Sequence, residues 1–238
     1  MKLLLTFIMP FLVSYGWGFR PNNNHDTPDI GEKYSTIISN HNAYYVGDTN
    51  DNNIYLTFDT GYDDGNVEKI LDILKEKNVM ACFFTTGHFM KSRPDLILRM
   101  YNEGHIVGNH TYNHPKLTNL NLVETEEELL KVEKLYSEIT NQEMKKYMRP
   151  PEGLISEESL TNTDKLGYKT ILWSLAFKDW EKNVFHGNDY SYHKVINNIH
   201  NGAIILLHTV SKDNLDDLPM IIDGLTNQGY QFSSLDDL

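Results

Sequence analysis

From Ile54 onward, short apolar runs alternate with longer segments whose apolar residues recur at helical spacing. This alternation is typical of parallel β-strands joined by helical crossovers, because a β-sandwich would show closely spaced strands without intervening helices. The apolar runs predict seven strands, at Ile54–Phe58, Met80–Thr85, His105–Gly108, Lys146–Met148, Lys169–Trp173, Ala203–Leu207 and Tyr230–Phe232. The pattern therefore predicts an α/β fold, either an open doubly wound sheet or a partial barrel.

The segments between these runs carry start signals for helices. Thr125 and Glu128 stand three residues apart, which is the spacing of a capping box, so we expect a helix to begin at Thr125. Ser156 is expected to cap a further short helix. Residues 215–225 supply the last crossover before the final strand.

The first residues predict export. The apolar run Leu3–Val13 follows a basic residue and has the length of a signal-peptide core, although a buried strand is an alternative. Residues 1–20 are therefore predicted to be a signal peptide or an uncleaved N-terminal membrane anchor. Residues 21–52 are polar and rich in asparagine, so we expect a linker or N-terminal extension, with ordered structure around Ala43–Val46, that leads into one domain over residues 53–238.

The formal net charge of −12 excludes one class of partner. Nucleic-acid binding needs clustered lysines and arginines that release counterions from phosphates, and the sequence contains no such cluster. An uncharged or mixed-charge polymer is a better partner. The single cysteine, Cys82, lies in an apolar run and is expected to be buried, and one cysteine cannot form an intramolecular disulfide.

Polar residues follow several of the predicted strands. In parallel α/β folds the carboxyl ends of the strands form the active face, so side chains that follow different strands converge on one site. The residues concerned are Asp59 after the first strand, His110 and His114 after the third, Arg149 after the fourth, Asp179 after the fifth and His208 after the sixth.

The spacing of His110 and His114 favours a metal site. Four residues bring two imidazoles to one side of a helical turn or tight loop, which suits zinc, cobalt or manganese. The pattern alone is also compatible with two surface histidines. Asp59, directly after an apolar strand, is a candidate general base for a metal-bound water, with a loop-capping role as the structural alternative.

Two further strand ends supply candidates for orientation and proton donation. Arg149 precedes two prolines that restrict the backbone, and its guanidinium is expected to pair with Asp179, either to support the base or as a structural ion pair. His208 ends an apolar strand and titrates in the range of a general acid, although core histidines also occupy such positions. Trp180 and Trp173 are candidates to line a sugar pocket or to pack in the core.

Taken in order, these segments resemble the polysaccharide deacetylase family, the carbohydrate esterases that share the nodulation deacetylase homology domain. The likeness spans residues 53–238 and implies a distorted, incomplete (β/α) barrel of about seven parallel strands. It rests on five motifs, which are Thr57-Phe58-Asp59, His110-x-x-x-His114, Arg149-Pro150-Pro151, Asp179-Trp180 and Leu206-Leu207-His208. By position the resemblance implies Asp59 as base, His110 and His114 as metal ligands, Arg149 and Asp179 as the pair supporting the base, Trp180 as a pocket wall, His208 as general acid and the N–H of Glu152 as an oxyanion donor.

The sequence departs from the family pattern at Thr60. Relatives commonly carry a second aspartate there as the third metal ligand, and a neutral hydroxyl binds a divalent ion less well, so we expect weaker affinity or completion by water. Asp63 and Asp64 are nearby alternatives, but we expect them to open the following helix.

Longer stretches such as residues 55–62 and 206–211 resemble a narrower branch, the delta-lactam-biosynthetic or N-acetylmuramic acid deacetylases of spore-forming bacteria. The resemblance implies an exported, monomeric, metal-dependent hydrolase, with zinc as the expected cofactor, that acts on peptidoglycan and leads to muramic δ-lactam in the spore cortex. Two alternatives stay open: a deacetylase of another acetylated glycan, namely peptidoglycan N-acetylglucosamine, chitin oligomers or xylan, or a catalytically silent glycan-binding protein on the same scaffold.

Overall fold

The computed structural model describes residues 24–238. The predicted leader, residues 1–20, lies outside the described residues. Each of the seven predicted strands is present, and one further short strand precedes them. The strands are β1 (Ala43–Tyr44), β2 (Asn53–Thr60), β3 (Cys82–Thr85), β4 (Ile106–Asn109), β5 (Tyr147–Met148), β6 (Lys169–Ile171), β7 (Ile204–His208) and β8 (Gln231–Phe232).

The strand order is β1-β6-β5-β4-β3-β2-β7, with β8 paired to the start of β2, and every ladder is parallel. From β2 to β6, strands that follow each other along the chain are neighbours, which is the order of a (β/α) barrel and not of a doubly wound sheet. No ladder joins β1 to β7 among the described residues. Isolated bridges connect Val46, which follows β1, with Ala203, and Leu175, which follows β6, with Ile205. The predicted distorted, incomplete barrel is confirmed.

Eight α-helices of the described residues connect and cover the strands. They are α1 (Gly31–Ser39), α2 (Val67–Lys77), α3 (Gly87–Ser92), α4 (Pro94–Asn102), α5 (Leu122–Thr140), α6 (Glu157–Lys165), α7 (Tyr190–Ile196) and α8 (Lys212–Asn227). The predicted Ser156 cap of α6 and the crossover over residues 215–225 are confirmed.

The predicted start of α5 at Thr125 is wrong. The helix begins at Leu122, because Asn121 accepts a hydrogen bond from the N–H of Glu124, whose carboxylate in turn accepts from the N–H of Asn121. This capping box lies four residues earlier than the predicted one, and both boxes have the same residue spacing. Glu128 is buried and contacts a loop of the site instead of capping the helix.

Residues 24–52 carry more ordered structure than the stretch around Ala43–Val46 that we expected. Helix α1 and strand β1 lie in this segment, and β1 extends the sheet beside β6. The N–H groups of Thr170 and Leu172 donate to the carbonyls of Asn42 and Tyr44 over 2.8 and 2.7 Å. The exposed edge of β6 therefore explains the difference, since its backbone donors need partners that the polar segment supplies.

The central strands are buried on both faces. Phe58 and Phe83 stack with ring centroids 5.0 Å apart on the face covered by helices, whereas Cys82 and Phe84 belong to the apolar cluster on the opposite face. Burial on two faces explains why these strands read as continuous apolar runs in the sequence. Cys82 is buried as predicted, and burial raises the pKa of its thiol.

Residues 24–238 contain the eight helices α1 to α8. None of them combines the length and the apolar composition that crossing a bilayer requires.

Candidate active site

The ends of adjacent strands bring the predicted catalytic residues together. Asp59 at the end of β2 is the register partner of His208 at the end of β7. His110 directly follows β4, and Arg149 directly follows β5. The N–H of Arg149 donates to the carbonyl of Asn109, the last residue of β4, over 3.0 Å. The parallel ladders therefore fix the spacing of these side chains along one edge of the sheet.

Arg149 is fully buried and binds the Asp59 carboxylate. Its Nη1 donates to Oδ1 of Asp59 over 2.9 Å, while Nε and Nη2 donate to the carbonyls of Ile171 and Leu172, each over 3.0 Å. The guanidinium carbon lies 4.2 Å from the centroid of the Phe84 ring. Every nitrogen of the guanidinium thus has a partner, which is the condition for burying a charge.

The predicted pairing of Arg149 with Asp179 is wrong, because the guanidinium points at Asp59 instead. Burial raises the pKa of the Asp59 carboxyl, but interactions with His110, Arg149 and His208 lower it more, so the pKa lies below its ordinary value. Asp59 is therefore ionised at neutral pH and able to accept a proton.

Asp179 orients His208. The Nδ1–H of His208 donates to Oδ1 of Asp179 over 2.7 Å, and the backbone N–H of His208 donates to Oδ2 over 2.9 Å. Burial lowers the pKa of His208, but the charge and hydrogen bond of Asp179 and the charge of Asp59 raise it above its ordinary value. The bond at Nδ1 leaves Nε2 of His208 as the nitrogen that can protonate a substrate.

His110 and His114 lie edge to face, with ring centroids 4.8 Å apart. The Nδ1–H of His110 donates to the carbonyl of Arg149 over 2.8 Å, because a carbonyl oxygen can only accept, and this leaves the lone pair of Nε2 unprotonated. Nε2 lies 3.6 Å from Oδ2 of Asp59. Burial lowers the pKa of His110 to about 4 and also lowers that of His114, so both rings have the neutral form that binds metals.

These donors fit a divalent metal ion with two histidine ligands. His110 and His114 are neutral imidazoles beside the Asp59 carboxylate, a combination that suits zinc, cobalt or manganese. Thr60 is buried, and its Oγ1 has no hydrogen-bond partner among the described residues. Across residues 24–238 no group of three or more His, Cys, Asp or Glu side chains is arranged to hold an ion. Two histidine ligands leave coordination positions for water and substrate.

Trp180 and Glu152 are the predicted substrate contacts. The Trp180 side chain is 44% exposed, and its ring centroid lies 5.8 Å from that of His208, so a sugar at the site can stack on it. Glu152 has a φ of +57°, and its carboxylate pairs with Lys116 over 3.2 Å, which leaves the backbone N–H as the group with a predicted role. Trp173 is buried in the core and forms no part of a pocket wall.

Comparison with known proteins decides the family. The family model described as polysaccharide deacetylase matches residues 46–171. The chain is 46% identical over 222 residues to the peptidoglycan-N-acetylmuramic acid deacetylase PdaA of Bacillus subtilis, and the match covers 93% of this chain and 84% of that relative. This chain belongs to the polysaccharide deacetylase family. The predicted enzyme class is therefore confirmed.

Other matches agree with this family. The solved structure of Bacillus subtilis PdaA, described as a family 4 carbohydrate esterase, has a TM-score of 0.91 and 46% identity over 94% of this chain and 95% of that chain. A peptidoglycan-N-acetylglucosamine deacetylase of Bacillus cereus is 35% identical over 208 residues, which are 86% of this chain and 72% of the relative. The fold of this polysaccharide deacetylase is thus the one the family uses.

The two acids considered as substitutes for the missing family aspartate have other partners. Asp63 pairs with Arg93, and Asp64 pairs with Lys182 over 2.8 Å. Neither lies in the first turn of α2, which begins at Val67, so the expectation that they open this helix is wrong.

Sequence reasoning missed Asn214 in the first turn of α8. Its Nδ2 donates to Oδ2 of Asp179 over 2.6 Å and to the carbonyl of His208 over 3.0 Å, and its Oδ1 accepts from the hydroxyl of Ser191 over 2.7 Å. Asn214 is 1% exposed, so it links His208, the predicted general acid, to helix α7 inside the protein. The available signal was weak, because an asparagine near a helix start is most often a cap.

Proposed function

We propose that this enzyme hydrolyses the N-acetyl group of N-acetylmuramic acid residues in peptidoglycan. One observation carries the reaction type: an ionised carboxylate, Asp59, and an oriented imidazole, His208, are register partners beside two neutral histidines. Such a base, acid and metal site together are what amide hydrolysis requires. The choice of sugar is supported by the named relative in Bacillus subtilis.

The mechanism assigns His110 and His114 to hold a divalent ion, for which we propose zinc. When bound, this ion polarises the acetyl carbonyl and lowers the pKa of the attacking water. Asp59 takes a proton from that water, and Arg149 keeps the carboxylate ionised and oriented.

The remaining groups act on the substrate. The backbone N–H of Glu152 donates to the oxyanion that develops on the acetyl carbonyl. His208 donates a proton from Nε2 to the leaving amine, while Asp179 holds the ring and stabilises its charged form. Trp180 stacks on the sugar and positions the acetyl group. The products are acetate and a free amino sugar.

The amino sugar product can react further. A freed amine on muramic acid can attack the lactyl carboxyl to close a δ-lactam once the stem peptide is gone, and we propose that the enzyme serves this step in the spore cortex. Its substrate requires export, for which residues 1–20 are the proposed signal peptide or anchor. We propose that the catalytic domain acts as a monomer on glycan strands.

The test is acetate release from muropeptide-derived glycan strands by the purified enzyme. Release is expected with added zinc and is expected to fall at least 100-fold with chelator, and mass spectrometry should place the lost acetyl on muramic acid. Asp59→Asn is the matched control, because it removes the base and keeps the side-chain shape. Release by Asp59→Asn at the wild-type rate would contradict the assignment of the base.

A second candidate substrate is peptidoglycan N-acetylglucosamine, since the Bacillus cereus relative carries that name. The same mass spectra separate the two sugars within one glycan strand. Absence of release from every acetylated glycan, with binding retained, would instead support a silent glycan-binding protein. The presence of both Asp59 and His208 argues against that outcome, because a protein that only binds glycans needs neither a general base nor a general acid.

A further inference from the structure

We propose that Glu128 is a positioning residue that holds the loop between His110 and His114 in its metal-binding conformation. The inference rests on the proposed function, because it assigns these two histidines to the metal. Glu128 lies in α5, outside the strands that carry the rest of the site. Its role is to fix the loop and not to touch the substrate.

The loop between His110 and His114 contains two residues with disfavoured backbone conformations. Thr111 has a φ of +65° and His114 a φ of +59°, and both are non-glycine residues in the left-handed region. Such conformations are disfavoured for L-residues and persist where surrounding contacts hold them. The orientation of His114 therefore depends on contacts from neighbouring residues.

Glu128 supplies those contacts at the middle of the loop. Its Oε2 accepts from the N–H groups of Tyr112 and Asn113 over 3.0 and 2.8 Å, and its Oε1 accepts from Nδ2 of Asn113 over 2.6 Å. The residue is 9% exposed, so its charge is stabilised by these donors and not by water. All three bonds come from the two residues that lie between Thr111 and His114.

Other contacts hold the two ends of the same loop. The N–H of His114 donates to Oγ1 of Thr111 over 3.0 Å, and the N–H of Gly87 donates to the Thr111 carbonyl over 3.1 Å. The Tyr112 ring packs so closely on Gly87 that a Cβ there would lie 2.3 Å from it. Glu128 adds three hydrogen bonds at the middle of the loop to these contacts at its ends.

The experiment measures zinc affinity of the purified, metal-free protein by competition with a chromophoric chelator, without substrate. Glu128→Ala removes both acceptor oxygens and with them all three hydrogen bonds, and Glu128→Asp keeps the charge but shortens the side chain by one methylene. Partners outside the ligand shell typically change metal affinity 10–100-fold, so both variants are expected to weaken zinc binding by about that factor. Glu138→Ala is the matched control, because Glu138 lies on the same helix with its side chain 57% exposed and pairs with Lys134 at the surface.

Glu128→Gln is the rescue variant. Its carbonyl oxygen can accept from both backbone N–H groups while the amide of Asn113 turns to accept from the new NH₂, so zinc affinity within about 3-fold of wild type is expected. Wild-type affinity in folded Glu128→Ala or Glu128→Asp would overturn the inference. If Glu128→Ala does not fold, Glu128→Asp decides the question. Absence of zinc binding by the wild type would instead contradict the proposed function, which separates the two failures.

Discussion

Asp59 and Asp179 are side chains of the same type, yet burial beside different partners gives them different roles. Arg149 lies against Asp59 at 2.9 Å, whereas His208 lies against Asp179 at 2.7 Å. The guanidinium stays charged and keeps Asp59 ionised, while Asp179 stabilises the protonated form of an imidazole that can release its proton. The two pairs therefore separate the proposed base from the proposed acid within one site.

Removal of the buried guanidinium should destabilise the fold. Arg149→Met leaves the Asp59 carboxylate buried without its cation, and breaking a buried pair from one side costs about 3–5 kcal/mol. The free energy of unfolding in urea measures this loss. Arg93→Met is the control, since Arg93 is 26% exposed and its pairs with Asp63 and Asp95 lie nearer to solvent, where an ion pair contributes about 1 kcal/mol or less. Equal losses in the two variants would contradict the role of burial.

The pH profile of the reaction should depend on Asp179. His208 must be protonated to act as the acid, and Asp179 raises its pKa above the ordinary 6.5, so activity is lost as pH rises through this raised value. Asp179→Asn removes the negative charge, lowers the pKa of His208 and should move the alkaline limb of kcat/KM to lower pH. Asp216→Asn, an exposed change on α8, should leave the limb in place. An unmoved limb in Asp179→Asn would show that another group titrates there.

At the scale of elements, the N-terminal segment completes the sheet. Strand β1 pairs with β6, and the N–H of Gly47 donates to the carbonyl of Gly202 over 2.8 Å just ahead of β7. Gly202 has a φ of +73°, and a Cβ there would lie 2.8 Å from the Gly47 carbonyl oxygen. The segment thus packs across the barrel opening at a point where only glycine fits.

This close approach predicts a difference between two glycine substitutions. Gly202→Ala meets the Gly47 backbone, whereas Gly229→Ala has a φ of +89° and no atom within 4 Å of the added Cβ. Both variants carry the cost of a left-handed alanine, and Gly202→Ala should lose about 1–3 kcal/mol more because overpacking is added. Thermal or urea unfolding measures the difference. Equal stabilities would mean that the N-terminal segment can shift away from Gly202 without cost.

The presence of a strand or helix was predicted more reliably than the residue at which it begins or ends. All seven predicted strands exist, and the central ones are continuous apolar runs because they are buried on two faces, whereas β8 is exposed at Gln231. The start of α5 was misplaced because Asn121 with Glu124 and Thr125 with Glu128 have the same spacing. Only packing shows that Glu128 is turned inward and is unavailable as a cap.

At the scale of the whole molecule, strand order decides where the chemistry lies. Neighbouring parallel strands end at the same edge, so residues from β2, β4, β5 and β7 meet although they are far apart in the chain. Trp180 at this edge is 44% exposed, in keeping with a glycan strand as the proposed substrate. The barrel and the site are thus consequences of one topology.

The sequence was sufficient to predict the α/β class, the positions of the strands and the residue types at their carboxyl ends, because periodicity and residue chemistry are local properties. Only the folded chain shows that Arg149 pairs with Asp59 and not with Asp179, and that β1 belongs to the sheet. Pairing depends on which strand ends become neighbours and which backbone donors remain unsatisfied. Neither the set of neighbouring strand ends nor the set of unsatisfied backbone donors exists until the chain has folded.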